Sequence, residues 1–273
     1  MKKYIVTALS LLSVLVIKAC VQKADHEQKD DWELIWADEF DYEGLPDSTR
    51  WSYDVGSHGW GNRELQNYLA KDTSTAYVHN GKLRIKANRI VTEKDTTYTS
   101  VRMVTKGKGD WKYGKIEARA KTSKGKGVLA AIWMLPTDHK HGGWPQFGEI
   151  DIMEHLSLVN YQDSIFQTTH TGAYNHLKGT QRGARTLIKN PWEDFHVYSV
   201  EWSPEGIDYL IDGVKRYHFP NESKSVDEWP FDVPFHLLMN ISVGGNWEGS
   251  EGIDPATFPA EMLVDYVRVY QEK

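Results

Sequence analysis

The chain has 273 residues, 40% of them hydrophobic, and a formal net charge of −6 at pH 7. That length and apolar content suit one large globular domain or two small ones. An acidic balance with no basic stripe speaks against nucleic acid as a partner. Eleven Trp and fourteen Tyr exceed what a core of this size needs. Some of these rings belong to an aromatic-rich β core. Others suit a groove in which flat rings pack on the apolar faces of sugars, each with one hydrogen-bonding tip.

In chain order, the first segment reads as an export signal. Lys2 and Lys3 precede an apolar or small run from Tyr4 to Ile17, which is too short for a comfortable membrane span. The run ends at Lys18-Ala19-Cys20, and Cys20 is the single cysteine of the chain. A small residue followed by Cys resembles a bacterial lipoprotein signal, although Lys18 is unusual there. The expectation is a signal over residues 1–20, lipidation at Cys20 and attachment to the outer membrane, on its surface or periplasmic side. Residues 21–31 are polar and without period, as a flexible tether would be.

From Trp32 to the end, at residue 273, the pattern is one of short strands in one domain. Lys82 to Ala87 alternates after an Asn80-Gly81 turn, and Lys115 to Ala120 alternates after Tyr113-Gly114. His196 to Trp202 and Asp208 to Asp212 flank Pro204-Glu205-Gly206, and Asp212-Gly213 turns into Lys215 to Phe219. Val264 to Tyr270 alternates again. Glu64 to Ala70 has room for one short helical turn at most. Strands with regular turns predict an all-β sandwich or barrel.

The most informative segment is Glu149-Ile-Asp-Ile-Met-Glu154, three carboxylates among β-branched and apolar residues. On a strand, Glu149 and Asp151 share a face while Ile150 and Ile152 point to a core. By strict parity Glu154 faces the other way, but one bulge near Ile152-Met153 returns it beside Asp151. Such clustered acids repel one another. Paired carboxylates with different proton affinities are what acid-assisted cleavage of a glycosidic bond requires. Two other readings stand beside this one: an edge strand with solvated acids, and a metal site from Glu149, Asp151, Glu154 and His155.

Further segments follow in order: Trp36-Ala-Asp-Glu-Phe40; Gly59-Trp-Gly-Asn-Arg-Glu-Leu-Gln66 with Tyr68; Tyr113 to Arg119; Ile132-Trp-Met-Leu-Pro136; Gly142-Gly-Trp-Pro145; His170; Val243-Gly-Gly-Asn-Trp247; and Val264 to Tyr270. With the acidic strand, this series resembles glycoside hydrolase family 16 in its laminarinase-like branch. The resemblance implies a β-jelly roll of two curved antiparallel sheets with an open substrate cleft. It implies a retaining endo-glucanase acting on β-1,3-glucan, mixed β-1,3/1,4-glucan or both. Glu149 would be the nucleophile, Glu154 the acid and then the base, and Asp151 a hydrogen-bonding partner between them. Trp133 and Trp144 are candidates for stacking on glucose, Trp133 with burial in the core as its alternative. Asn62 and Glu64 are candidates for hydroxyl recognition, His170 for a place near the acid/base, and Asn246 and Trp247 for the cleft rim.

The resemblance also implies a structural calcium ion held by Glu39, Gly81 and Asp265, with no cofactor needed for catalysis, and a monomer acting on polysaccharide. One departure stands out: Leu129 and Ala130 occupy places where Trp-Pro is usual in this branch. Losing that ring is expected to admit mixed-linkage glucan. Two further readings are a galactan-cleaving relative of the agarase or porphyranase type and a surface protein that binds glycan without cutting it.

Overall fold

A computed structural model of the chain describes residues 32–273; the expected signal, Cys20 and the tether lie outside the described residues. Among those residues the strands are β1 (Trp32–Asp38), β2 (Ser52–Asp54), β3 (Gln66–Tyr68), β4 (Ala76–Val78), β5 (Leu83–Val91) and β6 (Thr96–Ser100). Then come β7 (Arg102–Val104), β8 (Asp110–Trp111), β9 (Gly114–Lys121), β10 (Val128–Pro136), β11 (Glu149–Leu156) and β12 (Ser164–His170). The last six are β13 (Arg182–Leu187), β14 (His196–Trp202), β15 (Gly206–Ile211), β16 (Val214–Pro220), β17 (Phe235–Val243) and β18 (Ala260–Glu272). Among the described residues, helical structure is limited to two 3-10 turns, His176–Lys178 and Pro255–Thr257. No described helix is long and apolar enough to cross a membrane.

The strands form two sheets, and the all-β expectation holds. One runs β16-β15-β14-β9-β18-β5-β6-β3, with β1 beside β18 and β4 beside β5. The other runs β13-β12-β11-β10-β17-β7-β2, with β8 beside β17. The alternating segments read from the sequence lie in β5, β9, β14, β15, β16 and β18. Two of their turns are of the kind that hairpins favour: Asn80 and Gly81 have φ of 52° and 67°, and Asp212 and Gly213 have 52° and 73°. The helical turn allowed for Glu64 to Ala70 is replaced by β3, which pairs in parallel with β6. Tertiary pairing outweighs local propensity in so short a segment.

A single apolar layer joins the sheets. From the first sheet come Leu83, Ile85, Ile116, Val200, Val267 and Val269. From the second come Ala130, Ile132, Ile150, Ile152, Leu237 and Ile241, all with exposures near zero. Burial of these side chains stabilises by roughly 1.5–3 kcal/mol each before chain entropy is subtracted. Alternation then forces the intervening residues of the second sheet onto its outer face. There, Leu129, Asp151, His236, Asn240 and Ser242 are nonetheless 8% exposed or less. Outward residues so well covered form the floor of a walled groove.

Candidate active site

The floor of the groove is set by register. β11 lies between β10 and β12, so it is not an edge strand, and the reading of solvated edge acids is set aside. Against β10, Ile132 pairs with Met153 but Trp133 pairs with Asp151, which leaves Ile152 without an opposite number. Against β12, Asp151 pairs with Thr168 and Glu154 with Phe166, three steps on one strand against two on the other. This is the one-residue bulge expected from the sequence. Its signature is that Ile152 and Met153, adjacent in the chain, are both wholly buried in the core. Glu149, Asp151 and Glu154 thereby share the outer face. Gly148 sets the entry to this strand: its φ is +86°, and a Cβ there would come within 2.7 Å of Pro230 and 2.9 Å of Phe231. Only glycine suits both conditions.

The bulge also corrects the metal reading. His155 now faces away from the acids, is fully buried, and has Nε2 2.8 Å from the Gln162 carbonyl. His170 takes the place beside the acids instead, opposite Glu149 in the register. Its Nε2 lies 3.5 Å from Asp151 Oδ2 and 3.8 Å from Glu149 Oε1. Burial, reinforced by His176, pushes the His170 imidazole down to about 4. It is therefore neutral at pH 7, and these contacts are not ion pairs.

Burial is the main influence on all three acids and raises each of them. For Glu149 the Arg102 charge and the Trp144 side chain pull the other way. For Asp151 the neighbouring charges of Glu149 and Glu154 add to the rise, and its carboxyl stays protonated well above the usual range. For Glu154 the charges of Glu149 and Glu248 add to it. The acids titrate together, so their protons belong to the cluster. The asymmetry is clear all the same: the cation favours an ionised Glu149, while further anions favour a protonated Glu154.

The remaining expected residues fall in three groups. Trp133 is on the groove face rather than in the core. Its indole N–H donates to Asn240 Oδ1 at 2.7 Å, and the Arg102 guanidinium lies 4.6 Å from its ring centroid. Trp144 joins a ring cluster with His176 (4.9 Å) and His170 (5.9 Å) beside Glu149. Trp247 packs edge-on against Phe166, with ring centroids 5.1 Å apart.

The polar candidates bind the protein itself. Asn62 Nδ2 donates to Glu248 at 3.2 Å, and Asn62 accepts from the Asn246 N–H. Glu64 accepts from Gln66 Nε2 at 2.6 Å, and burial pushes its carboxyl up to about 7. Asn62 thus stitches the 59–65 loop to the 244–252 loop, and the Glu64 backbone bridges Gly244. Asn246 is exposed at the rim.

Of the pair read as a departure, Ala130 points into the core. Leu129 forms an aliphatic patch with Ala131, Leu156 and Leu158, against which Trp133, Tyr161, Phe166 and Trp247 pack. The missing ring is thus answered by an apolar floor edged with other rings.

The calcium set meets a different arrangement. Asp265 accepts from Lys82 Nζ at 2.5 Å and from Arg119. The Lys82 ammonium also reaches the Gly81 carbonyl at 3.3 Å, and both Glu39 oxygens are held by Arg268. The Asp265 carboxylate and the Gly81 carbonyl thus face side-chain cations in this arrangement, while Arg268 engages the Glu39 side chain and not its backbone carbonyl.

Sequence reasoning missed Arg102, Asn240 and Glu248. Arg102 sits on a three-residue strand with no period to mark it, and it spans the Trp60 and Trp133 rings at 4.8 and 4.6 Å. Glu248 follows a glycine turn and reads locally as a surface residue.

Residues 65–268 match the model for glycosyl hydrolases family 16. The chain is 48% identical over 278 residues to a β-glucanase of Rhodothermus marinus, covering 99% of this chain and 96% of that protein. Among solved structures, the laminarinase from Rhodothermus marinus is similar with a TM-score of 0.85 and 51% identity, over 89% of this chain and 98% of that one. A non-specific endo-β-1,3(4)-glucanase of family 16 is similar with a TM-score of 0.83 and 42% identity, over 89% and 92% of the two chains.

Proposed function

This chain belongs to glycosyl hydrolases family 16, and we propose that it is a retaining endo-β-glucanase cutting internal linkages of β-1,3-glucan and of mixed β-1,3/1,4-glucan. The observation that carries this reading is the bulge at Ile152, which places Glu154 on the face of Glu149 and Asp151. Glu149, ionised beside Arg102, attacks the anomeric carbon as the Glu154 proton passes to the departing glycosidic oxygen. A glycosyl ester on Glu149 results. Glu154, now a carboxylate, takes a proton from water, the water attacks the same carbon, and the Glu149 ester bond breaks with net retention. Protonated Asp151, two residues along on the same face, is suited to donate to the Glu149 carboxylate as the ester bond breaks and its charge returns. Neutral His170 and the Trp144 ring wall off that side of the cluster.

A groove crossing the strands suits an internal stretch of polymer. The Leu129 floor supports a sugar ring without fixing its tilt, which suits both linkage bends. Product analysis on laminarin, lichenan, barley glucan and agarose in parallel tests the reading. We expect mixed-length oligosaccharides from laminarin at the earliest times, with comparable rates on barley glucan. Binding without release of reducing ends, or release from agarose alone, would overturn it; strict laminarin specificity would remove the linkage argument.

The sequence of residues 1–31 supports an exported enzyme, lipid-anchored at the outer membrane. Replacing Cys20 with Ser is expected to move the protein from the membrane fraction to the soluble fraction and abolish labelling by a fatty acid. An unchanged distribution would refute the anchor.

A further inference from the structure

Glu248 has no part in the reaction as described, yet it is completely buried at the edge of the groove. Its Oε1 accepts from Ser242 Oγ at 2.7 Å, and its Oε2 accepts from Asn62 Nδ2 at 3.2 Å. Burial pushes the Glu248 carboxyl up, and two donors, one on each oxygen, pull it back toward the ionised form. The turn before it is built around this carboxylate. Gly245 has φ +82°, and a Cβ there would meet Asn62 Nδ2 at 2.8 Å and Glu248 Oε1 at 2.9 Å. A buried anion is costly unless it is held in this way.

Register places this charge near the acid/base residue. Across the sheet, Glu154 pairs with Ala131, and Ala131 pairs with Asn240. The next row on the same face is Leu156, Leu129 and Ser242. Two strand spacings, about 10 Å, separate Glu154 from Asn240, and only the Ala131 methyl stands between them. Glu248 is anchored on Ser242, one row away. The other titratable or charged groups on this face include Glu149 and Asp151 on the same strand, neutral His170 from β12, Arg185 from β13 opposite Phe166, His236 from β17, Arg102 from β7 with its ion-pair partner Asp54 from β2, and Glu64 from the neighbouring loop.

Resting on the glucanase reading, we propose that Glu248 is a positioning residue with two effects. It clamps the 59–65 loop to β17, and it sets a fixed negative charge beside Glu154 that keeps the acid/base protonated. The direction of the Glu154 shift, to which Glu248 contributes after burial and Glu149, agrees with this.

The test compares charge removal with clamp removal in the full chain. Glu248→Gln keeps the shape and loses the charge. Its alkaline limb of kcat/KM against pH on laminarin is expected to fall by about one pH unit, the order produced by one nearby charge. Ser242→Ala keeps the charge and loosens the clamp. It is expected to lower kcat/KM severalfold with the alkaline limb unmoved. Should the Gln variant fail to fold, Glu248→Met removes the same charge with an apolar chain of similar size and carries the same expectation. An unmoved limb in the folded charge-free variant, or equal limb shifts in it and in Ser242→Ala, overturns the proposal. A wild-type protein that releases no sugar from laminarin instead overturns the glucanase reading on which it rests.

Discussion

Glu149→Gln is expected to lower kcat on laminarin by about four orders of magnitude or more, because an amide cannot form the glycosyl ester on which the reaction turns. The fold should survive, and the melting temperature should rise rather than fall. All three acids on β11 have carboxyls raised in the folded state, first by burial. A raised carboxyl contributes stability that is fully present below its unfolded value of 4.5 for glutamate. That contribution is lost as pH rises through the folded value. At pH 7–8 the wild type therefore carries the strain of the cluster, and at pH 4 it does not. Thermal melts of the two proteins should diverge in favour of the variant toward pH 8 and converge toward pH 4. Turnover in purified Glu149→Gln comparable to wild type would remove Glu149 from the role of nucleophile. A melting temperature lower at pH 8 than at pH 4 relative to wild type would show that the acids stabilise the fold instead.

This strain explains why the acidic strand was readable at all. Charges side by side on a β-branched segment contradict local physics, and the contradiction marks a site. The bulge was legible for a related reason: parity alone could not bring Glu154 to its partners, so one extra residue had to lie between them. The alternating strands were legible from period two and from Asn-Gly and Asp-Gly turns. What stayed hidden was long-range. Asn62 looks like a free polar group until the 244–252 loop is folded against it, and Glu64 does so until Gln66 and Tyr68 turn their side chains back to it. Leu129 looks like a lost ring until Phe166 and Trp247 are seen beside it. Arg102 and Asn240 owe their positions to the row Glu154, Ala131, Asn240, Arg102 across neighbouring strands. No sequence window contains such a row. The cations around Asp265 and Glu39 were hidden for the same reason, since Lys82, Arg119 and Arg268 reach those carboxylates from separate strands or strand edges.

Glu154→Gln separates the two halves of the reaction, and that makes it the sharper test of mechanism. A sugar alkoxide is a poor leaving group, so without a proton from Glu154 cleavage of laminarin should slow by about two to four orders of magnitude. An aryl β-glucoside of laminaribiose with a dinitrophenol leaving group needs no such proton. Its first step should remain fast, and the variant should show a burst of dinitrophenolate followed by slow turnover. The slow phase is hydrolysis of the Glu149 ester, which now lacks a base to activate water. Azide needs no base, so it should restore turnover and yield a glycosyl azide of retained β configuration. Gln at 149 offers no ester to intercept, so Glu149→Gln should give neither burst nor β-azide. The alkaline limb of the pH profile should vanish in Glu154→Gln, since the group that must stay protonated is gone. An α-azide would show that Glu149 is not attacking from the opposite face, and equal losses on laminarin and on the aryl glycoside would show that Glu154 does not protonate the leaving oxygen.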